Sequence, residues 1–370
     1  MKILFVIQGE GRGHFTQALS LKSMLERNGH EVAGVLVGKS PARQLPDFFT
    51  KKMDDVPVYS FESPNFLPTT KNKQAGIVVS ILYNLLKIPA YLKSMYFISK
   101  KIRKTEADLV INFYELLTGL TYGLFCPKTP YICIAHQYLF LHPDFEFPKE
   151  SRSELYLLLF FTKLTSLRAS RLLALSFRPM SSLPDGKLVV VPPLLRREVL
   201  QTDASQGDYL HGYMVNSGFS EEVIDWHEKH PELPLHFFWD KKNAEKTTKV
   251  DDCLSFHTLD DELFLQYMAG CKGYATTAGF ESVCEAMYLG KPVLMIPTHI
   301  EQACNAHDAA LSGAGVIAGE FDLDKLLTFL PQYKPNLAFH NWALQSESVF
   351  MEEIYYSLLL QNNFDFAFNV

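Results

Sequence analysis

Three glycines at alternate positions, Gly9, Gly11 and Gly13, run directly into His14 within KILFVIQGEGRGHFTQALSLKSMLER. An unperturbed imidazole titrates near neutrality, so a ring held at such a loop could take a proton from an attacking hydroxyl and release it afterwards. Gly11 and Gly13 would let a bound ligand approach the backbone where a helix begins. The simpler alternative leaves His14 as a cap on the helix expected over Phe15–Arg27. A dinucleotide fingerprint does not fit: the spacing is G-x-G-x-G rather than G-x-G-x-x-G, and the second strand ends in Gly38–Lys39 with no acid for a ribose.

A second constellation lies in TTAGFESVCEAMYLGKPVLMIPTHIEQACNAHDAALSGAG. Its pattern is strand, turn at Gly279, helix, strand, then a second helix opening at Glu301. Two helix N-termini at one sheet edge suit an anion such as a diphosphate. Glu285 could offer its carboxylate to sugar hydroxyls, and Glu301 with Gln302 supplies acceptors and an amide for a polyhydroxylated ligand. Each has a plainer alternative, since Glu301 in a first turn could merely complement the dipole and Glu285 could be a solvated surface residue.

These residues need strands and helices to hold them. Apolar runs of strand length alternate with helical patterns, which predicts an α/β fold with parallel, doubly wound sheets. The first half offers KILFVIQ, EVAGVLVG, ADLVINF, YICIA, LLALSF and KLVVVP. The second offers DYLHGYMV, LPLHFFWD, CLSFHTL, GYATT, PVLMIPT and GVIAG. Helices are expected over Glu221–His230, Asp261–Ala269, Phe280–Leu289 and Glu301–Leu311. At 370 residues the chain exceeds what one core usually supports. Residues 192–208, with paired prolines and small polar residues, read as the linker between a domain over 1–195 and a domain over 206–335; a helical segment over 336–370 follows.

The bulk composition is that of a globular chain, 47% hydrophobic and 21% charged, and its net charge of −6 argues against a general nucleic-acid binder. The apolar run after Lys2 is too short for a signal-peptide core, so a cytoplasmic protein is expected. Six cysteines without C-x-x-C spacing read as reduced and buried rather than as metal ligands. Residues 76–104, apolar and then ending in KKIRK, are either a helix packed on the first sheet or a peripheral contact with a membrane or acceptor. Leu155–Phe161 is a shorter greasy segment.

The pattern T-A-G-F-E-S-x-x-E-A-x-x-x-G-x-P-x-x-x-x-P-x-x-x-E-Q-x-x-N-A, from Thr277 to Ala306, resembles the donor-binding signature of nucleotide-sugar-dependent glycosyltransferases of the two-domain GT-B type. Its nearest likeness is to the UDP-glycosyltransferases and the MurG-like group. The segment G-E-G-x-G-H, Gly9 to His14, is similar to the loop that opens their acceptor domain. This likeness implies two Rossmann-like domains facing a central cleft, with the last helix returning to the first. It places Gly279 and Ser282 against a diphosphate, Glu285 on the ribose hydroxyls, and Glu301 and Gln302 on the donor sugar. Ser217 and Gly218 would reach the phosphates, and His14 would serve as general base.

Thr277 stands where plant-type members carry His, and Glu281 where they carry Asn, so phosphate binding must lean on backbone N–H groups. Glu115 is the candidate acidic partner of His14; His136 and Gln137, with His142 nearby, are candidates for the acceptor side. Retaining relatives typically place a glutamate where Thr277 lies, which favours inversion. The expected activity is transfer from a UDP-sugar to a hydroxyl on a glycan, lipid or small molecule, with neither cofactor nor metal. A nucleotide-sugar epimerase of the same fold and a non-catalytic donor-binding subunit are the rivals.

Overall fold

The computed structural model describes residues 1–41, 43–64, 84–149, 152–183, 186–241 and 244–367, with side chains described as far as residue 359. The chain divides into two compact units. Unit 1 comprises Met1–Phe145, Tyr156–Leu194 and Leu344–Val370, and unit 2 comprises Glu146–Leu155 and Leu195–Ala343.

Unit 1 is built on seven strands: β1 (Lys2–Gln8), β2 (Glu31–Lys39), β3 (Val58–Glu62), β4 (Leu109–Phe113), β5 (Tyr131–Ala135), β6 (Arg171–Leu175) and β7 (Leu188–Val191). They lie in the order β3-β2-β1-β4-β5-β6-β7, every pairing parallel. Helices cover both faces of such a sheet, which is why β4, β5, β6 and β7 are buried at every position rather than alternating. β3 has no strong counterpart in the sequence pattern; it follows Pro57 at the sheet's edge and is mostly open to solvent, so its apolar periodicity is weak.

Unit 2 repeats the plan with β8 (Leu210–Met214), β9 (Leu235–Trp239), β10 (Thr247–Lys249), β11 (Leu254–Thr258), β12 (Gly273–Thr276), β13 (Val293–Met295) and β14 (Gly315–Ile317). Their order is β10-β11-β9-β8-β12-β13-β14, with β10 alone antiparallel. The polar triplet of β10 carries no strand signal and pairs only along one edge. The helices expected in this half form over Ser220–His227, Asp261–Gly270, Phe280–Tyr288 and Ile300–Leu311.

Two segments differ from the sequence pattern. The helical run after Pro335 is two helices, Leu337–Leu344 and Ser346–Ala367. The second packs Phe350, Met351 and Ile354 into unit 1. It is tied there by Arg27 Nη2 to Glu347 Oε2 at 2.6 Å, by Asn28 Nδ2 to Glu347 Oε1 at 2.9 Å, and by an Arg171–Glu353 ion pair. Within 76–104, residues 76–83 lie outside the described residues. A helix spans Ile88–Thr105 with Pro89 in its first turn, where the missing N–H costs no hydrogen bond.

Under the Asp261–Gly270 helix lies a histidine cluster drawn from three neighbouring strands. His211 Nδ1 donates to His236 O at 3.2 Å, His236 Nδ1 meets Ser255 Oγ at 2.8 Å, and Ser255 Oγ meets His257 Nε2 at 3.0 Å. His211 is fully buried and its Nε2 has no partner among the described residues. A second proton there would be an unsolvated charge, so burial pulls His211 down to about 3 and His257 to about 4, and lowers His236 as well. Each ring therefore binds a proton less readily in the folded unit than in the unfolded chain. The stability at stake is fully present above pH 6.5 and is lost as pH falls toward those depressed values. Thermal melts recorded from pH 7 down to pH 4.5 should show a falling midpoint, with a shallower fall in His211→Phe. Equal slopes for the two proteins would put the acid sensitivity elsewhere.

Candidate functional site

In an all-parallel sheet every strand ends at the same edge, and a crevice opens where the strand order reverses. In unit 1 that point lies between β1 and β4, and in unit 2 between β8 and β12.

In unit 1 the chain leaves β1 through Gly9. The amide of Gly9 donates to Gly38 O at 2.7 Å, and a Cβ on Gly9 would stand 2.7 Å from Val37 Cγ1 and 2.9 Å from that same oxygen. Close packing on the end of β2 therefore demands glycine there, whereas at Gly11 a side chain would meet only Gln8 Oε1 at 4.0 Å. The helix Gly13–Arg27 begins next and carries His14 in its first turn. Its imidazole is 8% exposed; Nδ1 lies 3.2 Å from Oε1 of the buried Gln17, one turn along. The ring stacks on Tyr114, which follows β4 directly, with centroids 5.8 Å apart and planes at 30°. Tyr114 holds a left-handed backbone at φ 59°, uncommon outside glycine, and its hydroxyl meets Thr162 Oγ1 at 2.7 Å. The topology thus brings His14 and Tyr114 together from the two strands that flank the crevice.

Glu115, the candidate acidic partner of His14, is held by hydrogen bonds at the start of the next helix. It caps the helix Leu116–Phe125: Oε2 accepts from Thr118 N at 2.7 Å and Thr118 Oγ1 at 2.8 Å, while Oε1 accepts from Ser63 Oγ at 2.6 Å. Complete burial raises its carboxyl pKa, and these hydrogen bonds oppose the rise. The carboxylate points at Gly38, where a Cβ would come within 2.8 Å of Oε1. Its place three residues before Thr118 explains the outcome, for that is the spacing of an N-cap. His136 and Gln137 start a short helical turn after β5 and are buried. His136 Nδ1 lies 2.7 Å from Leu175 O on β6, and its ring packs edge-on against Phe140 and Phe177. His142 is likewise held, with Nε2 2.8 Å from Ser181 O.

In unit 2, β8 runs into Asn216, whose Oδ1 accepts from Gly218 N at 2.9 Å; Ser217 and Gly218 open the turn that leads into Ser220–His227. After β12 the sharp turn is made by Ala278, buried at φ 56°, rather than by Gly279. Gly279 has φ −70° and ψ 133°, open to any residue, and a Cβ there would meet only Ser282 Oγ at 3.8 Å. The fold itself does not require glycine at this position. Gly279 precedes the helix Phe280–Tyr288, which lacks a side-chain cap, so the first-turn N–H groups have no intrahelical acceptor. Beside it, buried Thr277 Oγ1 and Asn305 Oδ1 have no hydrogen-bond partner among the described residues. Gln302 Oε1 accepts from Thr298 N at 2.9 Å and Thr298 Oγ1 at 2.7 Å, which turns the NH2 end of the amide away from that turn. Glu301 is partly exposed in the first turn of Ile300–Leu311.

Glu285 is buried and already gripped: Arg196 Nε reaches Oε1 at 2.6 Å and Nη2 reaches Oε2 at 2.9 Å. Burial opposes the Arg196 charge, but Glu285, with Asp261 and Glu198 adding to it, outweighs that and keeps the guanidinium protonated. A solvated surface role for Glu285 is thereby excluded. The forked contact takes one lone pair from each oxygen and leaves the others for hydroxyl donors. Removing one partner strands a buried charge, a cost of about 3–5 kcal/mol. Arg196→Ala should therefore lower the melting temperature well below that of the double variant Arg196→Met/Glu285→Met; equal melting of Arg196→Ala and the parent chain would show the pair to be solvated.

A family model described as glycosyl transferase family 1 matches residues 1–334. Among solved structures, CalG4, the calicheamicin glycosyltransferase, is similar at 14% identity and a TM-score of 0.62, covering 96% of this chain and 98% of that one. LpCGTa in complex with UDP is similar at 12% identity and 0.61, covering 96% and 99%. Spinosyn rhamnosyltransferase SpnG complexed with thymidine diphosphate follows at 14% and 0.56, covering 99% and 100%. No curated protein matches by sequence. The two doubly wound units are those of the GT-B fold.

Proposed function

The chain belongs to glycosyl transferase family 1 and is a glycosyltransferase, and from that premise we propose an inverting transfer from a UDP-sugar to an acceptor hydroxyl. The observation that carries this reading is the open Gly279 before an uncapped helix, with the unpartnered Thr277 Oγ1 beside it. A diphosphate offers acceptors to the helix N–H groups and to the threonine hydroxyl, and a negative charge to the helix dipole. Ser217, Gly218 and Ser282 contact the phosphates, Glu285 receives the ribose hydroxyls on the lone pairs Arg196 leaves, and Glu301 and the Gln302 amide hold the sugar. Solved relatives named with UDP and with thymidine diphosphate support a nucleotide-diphosphate donor.

In the reaction the acceptor oxygen attacks the anomeric carbon as its proton passes to His14. The bond from that carbon to the diphosphate oxygen breaks, and the electron pair leaves with the nucleotide. Fixed N–H dipoles stabilise the charge that develops there, so the positive potential comes from helix termini rather than from a metal. His14→Ala should lower turnover by roughly 10²–10⁴ while UDP affinity stays near that of the parent chain. Glu285→Ala should weaken UDP at least about tenfold, as expected for loss of charge-assisted hydrogen bonds. Unchanged turnover in His14→Ala would move the base elsewhere, and product formed from donor alone would indicate an epimerase.

We propose further that the acceptor lies at a membrane surface on the cytoplasmic side. No helix among the described residues is long and apolar enough to cross a bilayer. Yet on Ile88–Thr105 one face buries Tyr91, Met95, Ile98 and Ile102, while Ile88, Leu92 and Tyr96 stand exposed beside Lys93, Lys100, Arg103 and Lys104. Apolar insertion combined with cations fits an anionic lipid surface. The protein should sediment with phosphatidylglycerol vesicles at low salt and leave them as salt rises, and Leu92→Glu/Tyr96→Glu should weaken this. No sedimentation at low salt would favour a soluble acceptor.

A further inference from the structure

We infer that Gln17 is a positioning residue that fixes the tautomer and tunes the basicity of His14, an assignment that rests on His14 acting as the base. Gln17 lies three residues along the same helix, so the two side chains share a face. It is 2% exposed, which makes its amide a buried polar group that must be matched rather than a solvated surface side chain. Its Oε1 stands 3.2 Å from His14 Nδ1. A carbonyl oxygen only accepts, so this bond needs the proton on Nδ1 and leaves Nε2 as the nitrogen that carries the lone pair. On an imidazole Nε2 lies across the ring from Nδ1, away from Gln17.

Two further contacts make the arrangement rigid. Tyr114 lies under the ring, and its own hydroxyl bond to Thr162 Oγ1 pins it in place. An imidazole held by an amide on one nitrogen and an aromatic face beneath has little freedom to rotate, as an oriented base requires. The amide differs from a carboxylate in one respect: it orients the ring without adding a negative charge beside it. It therefore fixes which nitrogen is basic while giving the imidazolium less support than an acid would.

Long-range ¹H–¹⁵N correlation spectra of the histidine-labelled protein read this directly, without substrate, with the His14 signals assigned by their loss in His14→Gln. The neutral ring should carry its proton on Nδ1, and Gln17→Glu should raise its titration midpoint by about one pH unit or more, since a nearby opposite charge favours the charged form. In turnover, Gln17→Met should lower kcat about tenfold or more with little change in donor KM, and Gln17→Glu should move the acidic limb of the pH profile upward. A proton on Nε2 in the parent protein, or an unmoved midpoint in Gln17→Glu, overturns the role of Gln17. If His14→Ala keeps its turnover while the Nδ1 proton is found, the tautomer assignment stands and the base reading fails instead.

Discussion

Parallel pairing of β1 with β4, and of β8 with β12, is the constraint from which the rest follows. Strands that run side by side in one direction must send the chain back through crossovers, and right-handed crossovers on either side of the first strand place their helices on opposite faces. The loops between them are then forced apart at one edge. Into those gaps the chain delivers a helix start carrying His14 in unit 1 and a bare helix start behind Gly279 in unit 2. The residue placed one or two positions past the flanking strand is left-handed in each case, Tyr114 after β4 and Ala278 after β12. Such backbones cost about 1–3 kcal/mol each and persist only where surrounding packing enforces them.

The carboxylates show how a buried acid is tolerated. Glu115 is kept by three hydrogen bonds from Ser63 and Thr118, and Glu285 by the fork of Arg196. Both are fixed before any ligand arrives. For Glu115 the fixation consumes the side chain in a local structural task; for Glu285 it sets the orientation of the oxygens that remain. An unpaired acid in either place would be protonated or expelled toward water.

Most of the fold was legible because parallel strands buried on both faces write long apolar runs into the chain, as in KILFVIQ and PVLMIPT. β3 and β10 escaped notice because they border solvent and bury little. The helix start at Gly279 was legible from its spacing, but the left-handed turn falls on Ala278, whose type carries no hint of it. Gln17 could have been found from its three-residue offset to His14. Arg196 could not, since 89 positions separate it from Glu285 and only the folded unit joins them. An acid after a strand can cap the next helix as readily as it can serve a neighbour, and Glu115 takes hydrogen bonds from Thr118 and Ser63.

Unit 1 is discontinuous, because its last helix arrives from Ser346 onward after the whole stretch Leu195–Ala343 of unit 2 has been made. During synthesis, then, the surface that receives Phe350, Met351 and Ile354, together with Arg27 and Arg171, waits uncovered on the ribosome while unit 2 emerges and collapses. The first sheet to be translated is the last to be finished. A chain that stops short of Ser346 leaves that apolar surface of unit 1 without the helix that covers it.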